Sequence, residues 1–509
     1  TIFNTTYYRK YMVAGGGINL DYQPSSRNFF GLKYWQTNVW GHPYMNTVTQ
    51  FVQPSMQDSF ARSSFTGKDS YLYNFGNANY HHNFDSLGRN YVDLNIDFNR
   101  FRQNRTLEGA FDVSDQYRNV LPQKFWNLSE QIDIKKTISP KASVLFGVQL
   151  SHTTVNNDLK YYDLEQGNYV LNDALSQDYD YRENYQAAYV SMSRSFGNRL
   201  STSAGLRFER TDYESTAEKA GLAFDSTYYN LYPSLSLSYA PSQKHQFGYS
   251  LSRKIIRPNI ENLYPGRIYR SNNYFTENNP FLQPTLLLVN ELSYLFKQRY
   301  SISLTYSGTK NSNAKFVIPV TEDNTLKFKE TLLNYGTIHQ LSVVFSTSIN
   351  LLKGKWQMYV TPYYNHVVYS GTVGPNKVRV VNNDFNIIAD NYFQLSKNKT
   401  LAAFLTFNYY GPSKDIAAER TNSLSSLTFQ LRKTINKFSF SLIASDIYNG
   451  KSRTKSNLYA NYLLSNNYVD RFSYTRAIQF KIRYSFGNSN LAATKNRNTA
   501  NQDIRNRAN

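Results

Sequence analysis

Large apolar and small polar residues alternate along most of this chain, and the alternation is clearest between Tyr229 and Ser307. There Leu235, Leu237 and Tyr239 fall on one parity and Ser234, Ser236 and Ser238 on the other, which is the period-two pattern of a strand. After the turn Pro241-Ser242-Gln243-Lys244 the rule resumes, with Phe247, Tyr249 and Leu251 against Gln246, Gly248, Ser250 and Ser252. Two antiparallel strands across a tight turn are predicted. A polar excursion from Lys254 to Thr285 follows, and then a second pair around Lys297-Gln298-Arg299. Its apolar parity carries Leu292, Tyr294, Phe296, Tyr300, Ile302, Leu304 and Tyr306.

The same unit recurs in both directions. Tyr11 to Tyr22 and Asn28 to Val39 flank a turn at residues 23–27, and Gly41 to Ser70 is expected as a long loop. Tyr71 to Phe84 pairs with Asn90 to Phe101, Phe125 to Thr137 with Ala142 to Ser151, and Tyr181 to Thr211 turns at Phe196-Gly197-Asn198-Arg199. In Leu200 to Glu209 the even residues are mainly apolar, so Arg207 and Glu209 point to the polar side. Tyr300 to Val320 and Leu326 to Asn350 form a hairpin longer than the nine to eleven residues, roughly, that cross a bilayer. Tight turns are predicted near 352–355, 396–399 and 434–437. The last strand sets Phe472, Tyr474, Ile478, Phe480, Ile482 and Tyr484 against Lys481, Arg483 and small polar residues.

Bulky aromatics on one face, polar residues on the other, and short turns alternating with long polar loops are the marks of an outer-membrane β-barrel. Such a sheet must close on itself, because unpaired backbone groups cannot face hydrocarbon. The fold class is therefore all-β, a transmembrane antiparallel β-barrel over residues 1–488, followed by a disordered polar periplasmic tail at 489–509. The turns account for about nineteen strands, whereas single-chain bacterial barrels have even numbers. The barrel is expected to be incomplete at its N-terminus, and because a barrel needs export, a segment is expected to have been removed upstream of Thr1.

Composition narrows this picture. Mean hydropathy is -0.57, and no apolar run is long enough for a membrane-spanning helix. Aromatic residues make up 16% of the chain, with 44 Tyr and 33 Phe, as interfacial girdles require. Cysteine is absent, which excludes disulfides and thiol chemistry. The net charge of +20 is dispersed over turns, loops and inward strand positions with no basic helix, which argues against nucleic acid and for acidic lipid headgroups or lipopolysaccharide phosphates. No Gly-x-Ser-x-Gly, His-Glu-x-x-His or calcium loop is present, so neither enzyme activity, a metal nor a cofactor is expected.

Several runs resemble the C-terminal barrel of TonB-dependent receptors from Bacteroidota. They include Tyr179-Asp180-Tyr181-Arg182-Glu183-Asn184, Ala204-Gly205-Leu206-Arg207-Phe208-Glu209, Tyr232-Pro233-Ser234-Leu235-Ser236-Leu237-Ser238-Tyr239, Asn278-Asn279-Pro280-Phe281-Leu282-Gln283-Pro284 and Ser445-Asp446-Ile447-Tyr448-Asn449. Asn278 stands where that family usually has glycine. The resemblance implies a barrel of about twenty-two strands, a plug domain that meets the TonB system, and import of a nutrient such as an iron chelate, haem, cobalamin, oligosaccharide or peptide. A surface lipoprotein is a further implied partner. The alternative is a barrel that serves as a scaffold in a secretion, assembly or surface-lipoprotein complex.

The loop from Arg253 to Pro284 is the ligand-binding candidate, with Arg253, Arg257, Tyr264, Arg267, Tyr269, Tyr274, Asn278 and Asn279. Amides and aromatics suit sugars or peptides, and arginine suits carboxylates. The competing reading is that these side chains fold the loop down and pin it. Arg207, Glu209, Lys481 and Arg483 are expected to face the lumen.

Overall fold

The computed structural model describes residues 2–51, 59–111, 115–271, 273–322, 324–420, 422–448, 452–456, 469–471 and 476–486. Its main sheet holds 22 strands, three of which, Arg267–Ser271, Tyr274–Glu277 and Ser312–Glu322, belong to loops. The others form one antiparallel meander in which each strand pairs with the next. It runs from Ile2–Tyr22 through Leu200–Ala217, Leu222–Ser242, His245–Ile256, Thr285–Phe296, Tyr300–Lys310 and Thr325–Leu351 to Ala477–Tyr484. Among the described residues no ladder joins Ile2–Tyr22 to Ala477–Tyr484. The expected tail at 489–509 and the expected strand start at Phe472 lie outside the described residues.

Burial is inverted relative to a water-soluble sheet. Asp97, Asn99, Asn127 and Ser129 are 0% exposed, whereas Ile96, Ile132 and Phe146 are 49%, 46% and 52% exposed. A contiguous apolar surface of this kind is untenable in water but natural against lipid. The polar face satisfies itself across strands. Asn77 donates to Asp97 (2.7 Å), Tyr73 donates to Asn99 (2.8 Å), and Asn127 donates to the hydroxyls of Ser151 (2.9 Å) and Thr153 (3.0 Å).

Strand lengths differ from the sequence expectation on the side of the long loops. Residues 41–51 and 59–70 belong to strands and not to a loop: Asn28–Phe51 and Ser59–Asn83 pair from Asn28↔His82 to Gly41↔Asp69 and again from Tyr44↔Thr66 to Phe51↔Ser59. Likewise Asn168–Phe196 spans 29 residues, far more than a bilayer needs. The projecting hairpin ends where predicted, between Glu322 and Thr325, but its first arm breaks at Asn311, which takes a left-handed φ of 56°. Gly15 and Gly17 lie against the backbone of Gln36 and Tyr34, and Gly17 also against the Trp35 ring, so the glycine triplet serves close approach.

Candidate functional site

The segment that leaves His245–Ile256 turns back onto the polar, inward face of the sheet. Arg257 is the first anchor. Its Nη2 lies 2.8 Å from Glu209 Oε2, with the two side chains 5% and 7% exposed, and its guanidinium sits over the Tyr185 ring. Glu209 also receives Arg207 Nε at 2.6 Å, and Arg207 Nη2 donates to Gln149 at 2.8 Å. The inward pair Arg207 and Glu209 and the loop residue Arg257 therefore form one buried ionic group.

A one-turn 3₁₀ element, Ile260–Leu263, follows. Ile260, Leu263, Tyr264 and Leu282 pack into a core with the inward aromatics Phe101, Phe125, Tyr179, Tyr181 and Tyr185. The Tyr264 hydroxyl donates to the Gln177 carbonyl (3.3 Å). Beyond it the hairpin Arg267–Ser271/Tyr274–Glu277 brings Tyr269 and Phe275 against Phe111, Tyr117 and Tyr161. This hairpin docks in parallel on the projecting arm, with Tyr274, Phe275 and Thr276 opposite Phe328, Lys329 and Glu330.

Charges lock the two loops together. Arg267 pairs with Glu277 and, at 3.0 Å, with Glu322; Lys329 meets Glu277 at 2.9 Å and Lys327 meets Glu322 at 3.2 Å. Burial pushes the Glu322 carboxyl up, but Arg267 and Lys327 outweigh it and hold the group below its ordinary value. The Tyr274 hydroxyl donates to Glu330 (2.6 Å), Asn278 to the Glu261 carbonyl (2.9 Å) and Asn279 to the Leu332 carbonyl (3.1 Å). Of the eight candidate residues, seven thus join in this inward-folded lid. Arg253 stands apart. Opposite Leu288 in the ladder, it is on the strand parity of Tyr249 and Leu251, but its guanidinium lies over the ring of the buried Tyr232 and donates to the Leu231 carbonyl at 2.8 Å. Lys481 and Arg483 lie opposite Ser441 and Ser439 on the last ladder.

A second polar cleft was not singled out from the sequence. Gln340, Asn365, Asn382, Asp384, Lys414 and Arg420 line about 360 Å³ beside the strands Trp356–Val373 and Asn376–Gln394. Asp384 accepts from Asn365 (2.9 Å), from Asn382 (2.6 Å) and from Asn386, while Ser342 donates to Asn365 (2.6 Å). The signal was present as the alternation Asn382, Asp384, Asn386 against Phe385 and Ile387. An amide-rich wall of this kind offers both donors and acceptors to a polar ligand.

Comparison with known proteins agrees with this architecture. No curated protein matches the chain. Among solved structures it is similar to the pyoverdine outer membrane receptor FpvA of Pseudomonas aeruginosa, at 11% identity and a TM-score of 0.56 over 95% of this chain and 79% of that one. It is also similar to the siderophore receptor PiuA of Acinetobacter baumannii, at 9% identity and a TM-score of 0.56 over 95% and 81%. The ferric-catecholate import receptor Fiu of E. coli K12 matches at 9% identity and a TM-score of 0.55 over 88% and 77%. At these identities the likeness is one of fold. The profile of the outer membrane protein beta-barrel family matches residues 82–505, and the chain belongs to that family as an integral barrel of the outer membrane.

Proposed function

We propose that this barrel is the body of a TonB-dependent receptor that captures a scarce nutrient outside the cell and passes it through a gated lumen. The observation that carries the reading is the lid from Arg257 to Leu282, folded from the extracellular end onto the inward wall. A barrel that served only as an open pore would gain nothing from such a roof. The names of the similar structures, which include ferric-catecholate, pyoverdine and siderophore receptors, favour an iron chelate as the nutrient class. The chemistry is compatible: arginines and tyrosines suit the carboxylate and catechol oxygens of such ligands. In this reading Tyr274, Asn278 and Asn279, which are half-buried, offer contacts to the ligand, whereas Arg257, Tyr264 and Tyr269 hold the lid. A plug domain closes the lumen and the inner-membrane TonB system supplies the energy. The motif resemblance favours a receptor of the Bacteroidota kind, with a surface lipoprotein as its companion.

The test is accumulation of radioactive iron chelates by cells that carry or lack the gene, with and without the proton gradient. Uptake that requires both the protein and the gradient is expected. Equal, gradient-independent accumulation in both strains would remove the transport reading, and co-purification of a lipoprotein in that case would favour a scaffold.

A further inference from the structure

The outward face carries a feature that import does not need. On Tyr91–Phe111 the outward residues Val92, Leu94, Ile96 and Phe98 are apolar, and the next two on that face are Arg100 and Arg102. On the neighbouring strand the outward series Ile134, Ile132, Glu130, Leu128 and Trp126, apolar but for Glu130, gives way to Lys124. The ladder sets Trp126 opposite Arg100 and Lys124 opposite Arg102, so three cations meet on two adjacent strands. Arg100 is the tenth residue of its strand counted from the short-turn end. A membrane-crossing strand needs about nine to eleven residues, which puts these cations at the outer edge of the hydrocarbon.

All three side chains are exposed, and among the described residues none makes an ion pair or hydrogen bond. The nearest acid on this face, Asp180, is engaged by Asn156. Together with Phe98, Trp126, Thr154 and Asn156 the cations line a cleft of about 400 Å³. Its floor is aromatic: Phe98 and Trp126 meet edge-on with ring centroids 6.3 Å apart. Like charges directly opposite one another on a sheet repel, and an anion between them removes that cost. Guanidinium groups grip phosphate oxygens bidentately. The aromatic ledge below faces the hydrocarbon, where acyl chains lie.

We propose that Arg100, Arg102 and Lys124, set over Phe98 and Trp126, bind the phosphorylated headgroup of an outer-leaflet lipid. A free phosphate ion would use the cations but not the apolar ledge, so the two sources of the same anion separate experimentally. The proposal stands on the barrel fold and is independent of what the receptor imports.

The purified full-length protein in neutral detergent would be titrated with diphosphorylated lipid A, with the same lipid after phosphatase treatment, and with inorganic phosphate, and bound lipid counted by native mass spectrometry. Selective retention of the phosphorylated lipid is expected. The variant R100Q/R102Q/K124Q should lose at least about tenfold in affinity, roughly the worth of one to two charge-assisted bonds. R100K/R102K, which keeps the charges but loses the bidentate fork, should bind between the parent and the triple variant, and Lys136→Gln, an outward cation at the opposite end of the strand that carries Lys124, should bind like the parent. Folding of each variant is checked by heat-dependent gel mobility, and Lys124→Gln alone serves if the triple variant does not fold. Equal binding of phosphorylated and dephosphorylated lipid, or a folded triple variant that binds like the parent, would overturn the assignment. Inorganic phosphate binding as tightly as the lipid would overturn the lipid source.

Discussion

Glu209 is the residue on which the lid closes, because it accepts both Arg207 and Arg257 while almost wholly buried. Removing one partner of such a group leaves a charge without compensation, at a cost of about 3–5 kcal/mol. Arg257→Met should therefore raise hydrogen exchange at Asn262, Tyr264 and Asn279, whose amides bond within the lid. Glu209→Gln should raise it further, since two guanidinium groups then lose their carboxylate. A different constraint acts at Gly147, where the Tyr189 ring covers the inward face and an added Cβ would overlap that ring. Tyr189 in turn accepts from Gln131 at 2.9 Å and donates to Asp133. Gly147→Val should cost about 1–3 kcal/mol in thermal unfolding by displacing the ring. Gly76 is the control. On the outward face its added Cβ would meet only Phe98 Cβ at 3.9 Å, so Gly76→Val should change stability by no more than about 0.5 kcal/mol.

Elements are held at their ends by equally local chemistry. In the turn between Asn83 and Tyr91, Asp85 accepts the amides of Leu87 (2.9 Å), Arg89 (3.1 Å) and Asn90 (2.7 Å). The Arg89 amide is the largest of the influences that hold its carboxyl below the ordinary value. A carboxylate with a depressed folded-state pKa contributes stability that is present above its unfolded value, about 3.9, and lost as pH falls through the folded value. Protection of the Leu87, Arg89 and Asn90 amides, taken relative to the intrinsic exchange rate at each pH, should thus fall in acid, and Asp85→Ala should show little protection at both pH 7 and pH 3. The lid hairpin shows the same logic with side chains a third exposed. A double-mutant cycle between Arg267→Ala and Glu322→Gln should give a coupling of only about 1 kcal/mol, weakened by salt, read from exchange over Tyr274–Glu277. These ends were partly legible. Period-two alternation fixed the strands wherever one face meets lipid, as in Val92, Leu94, Ile96 and Phe98. Beyond the bilayer both faces meet water or other loops, so Trp40-Gly41-His42-Pro43-Tyr44 carries no alternation although its ladder with Ile2–Tyr22 continues. The inward turn of the lid had a signal that strand parity cannot supply: Ile260, Leu263 and Leu282 are apolar residues in a polar excursion, and apolar residues there need something to cover them.

At the scale of the whole molecule, the decisive property is that one sheet separates two solvents. A substitution is therefore judged first by the face it lands on and then by depth. Leu206 is 44% exposed on the outward face, opposite Val190 and Pro233, whereas Ser203, three residues earlier, is on the inward face opposite Ser193 and Ser236. Arginine on the lipid face near mid-bilayer costs about 2–4 kcal/mol, and arginine in the lumen costs little. Leu206→Arg should lower folding stability in vesicles accordingly, with Ser203→Arg close to the parent. The chain itself carries one instructive departure. Glu130 is exposed on the outward face, between Ile96 and Leu150 on the flanking strands and Leu128 and Ile132 on its own. An acid costs less than arginine in that setting, but it still costs. Glu130→Leu should therefore raise the denaturant midpoint of the vesicle-inserted barrel, by the equivalent of about 1 kcal/mol. If the midpoint falls instead, that stretch of wall does not face hydrocarbon, and Glu130 marks the place where another polar surface meets the barrel.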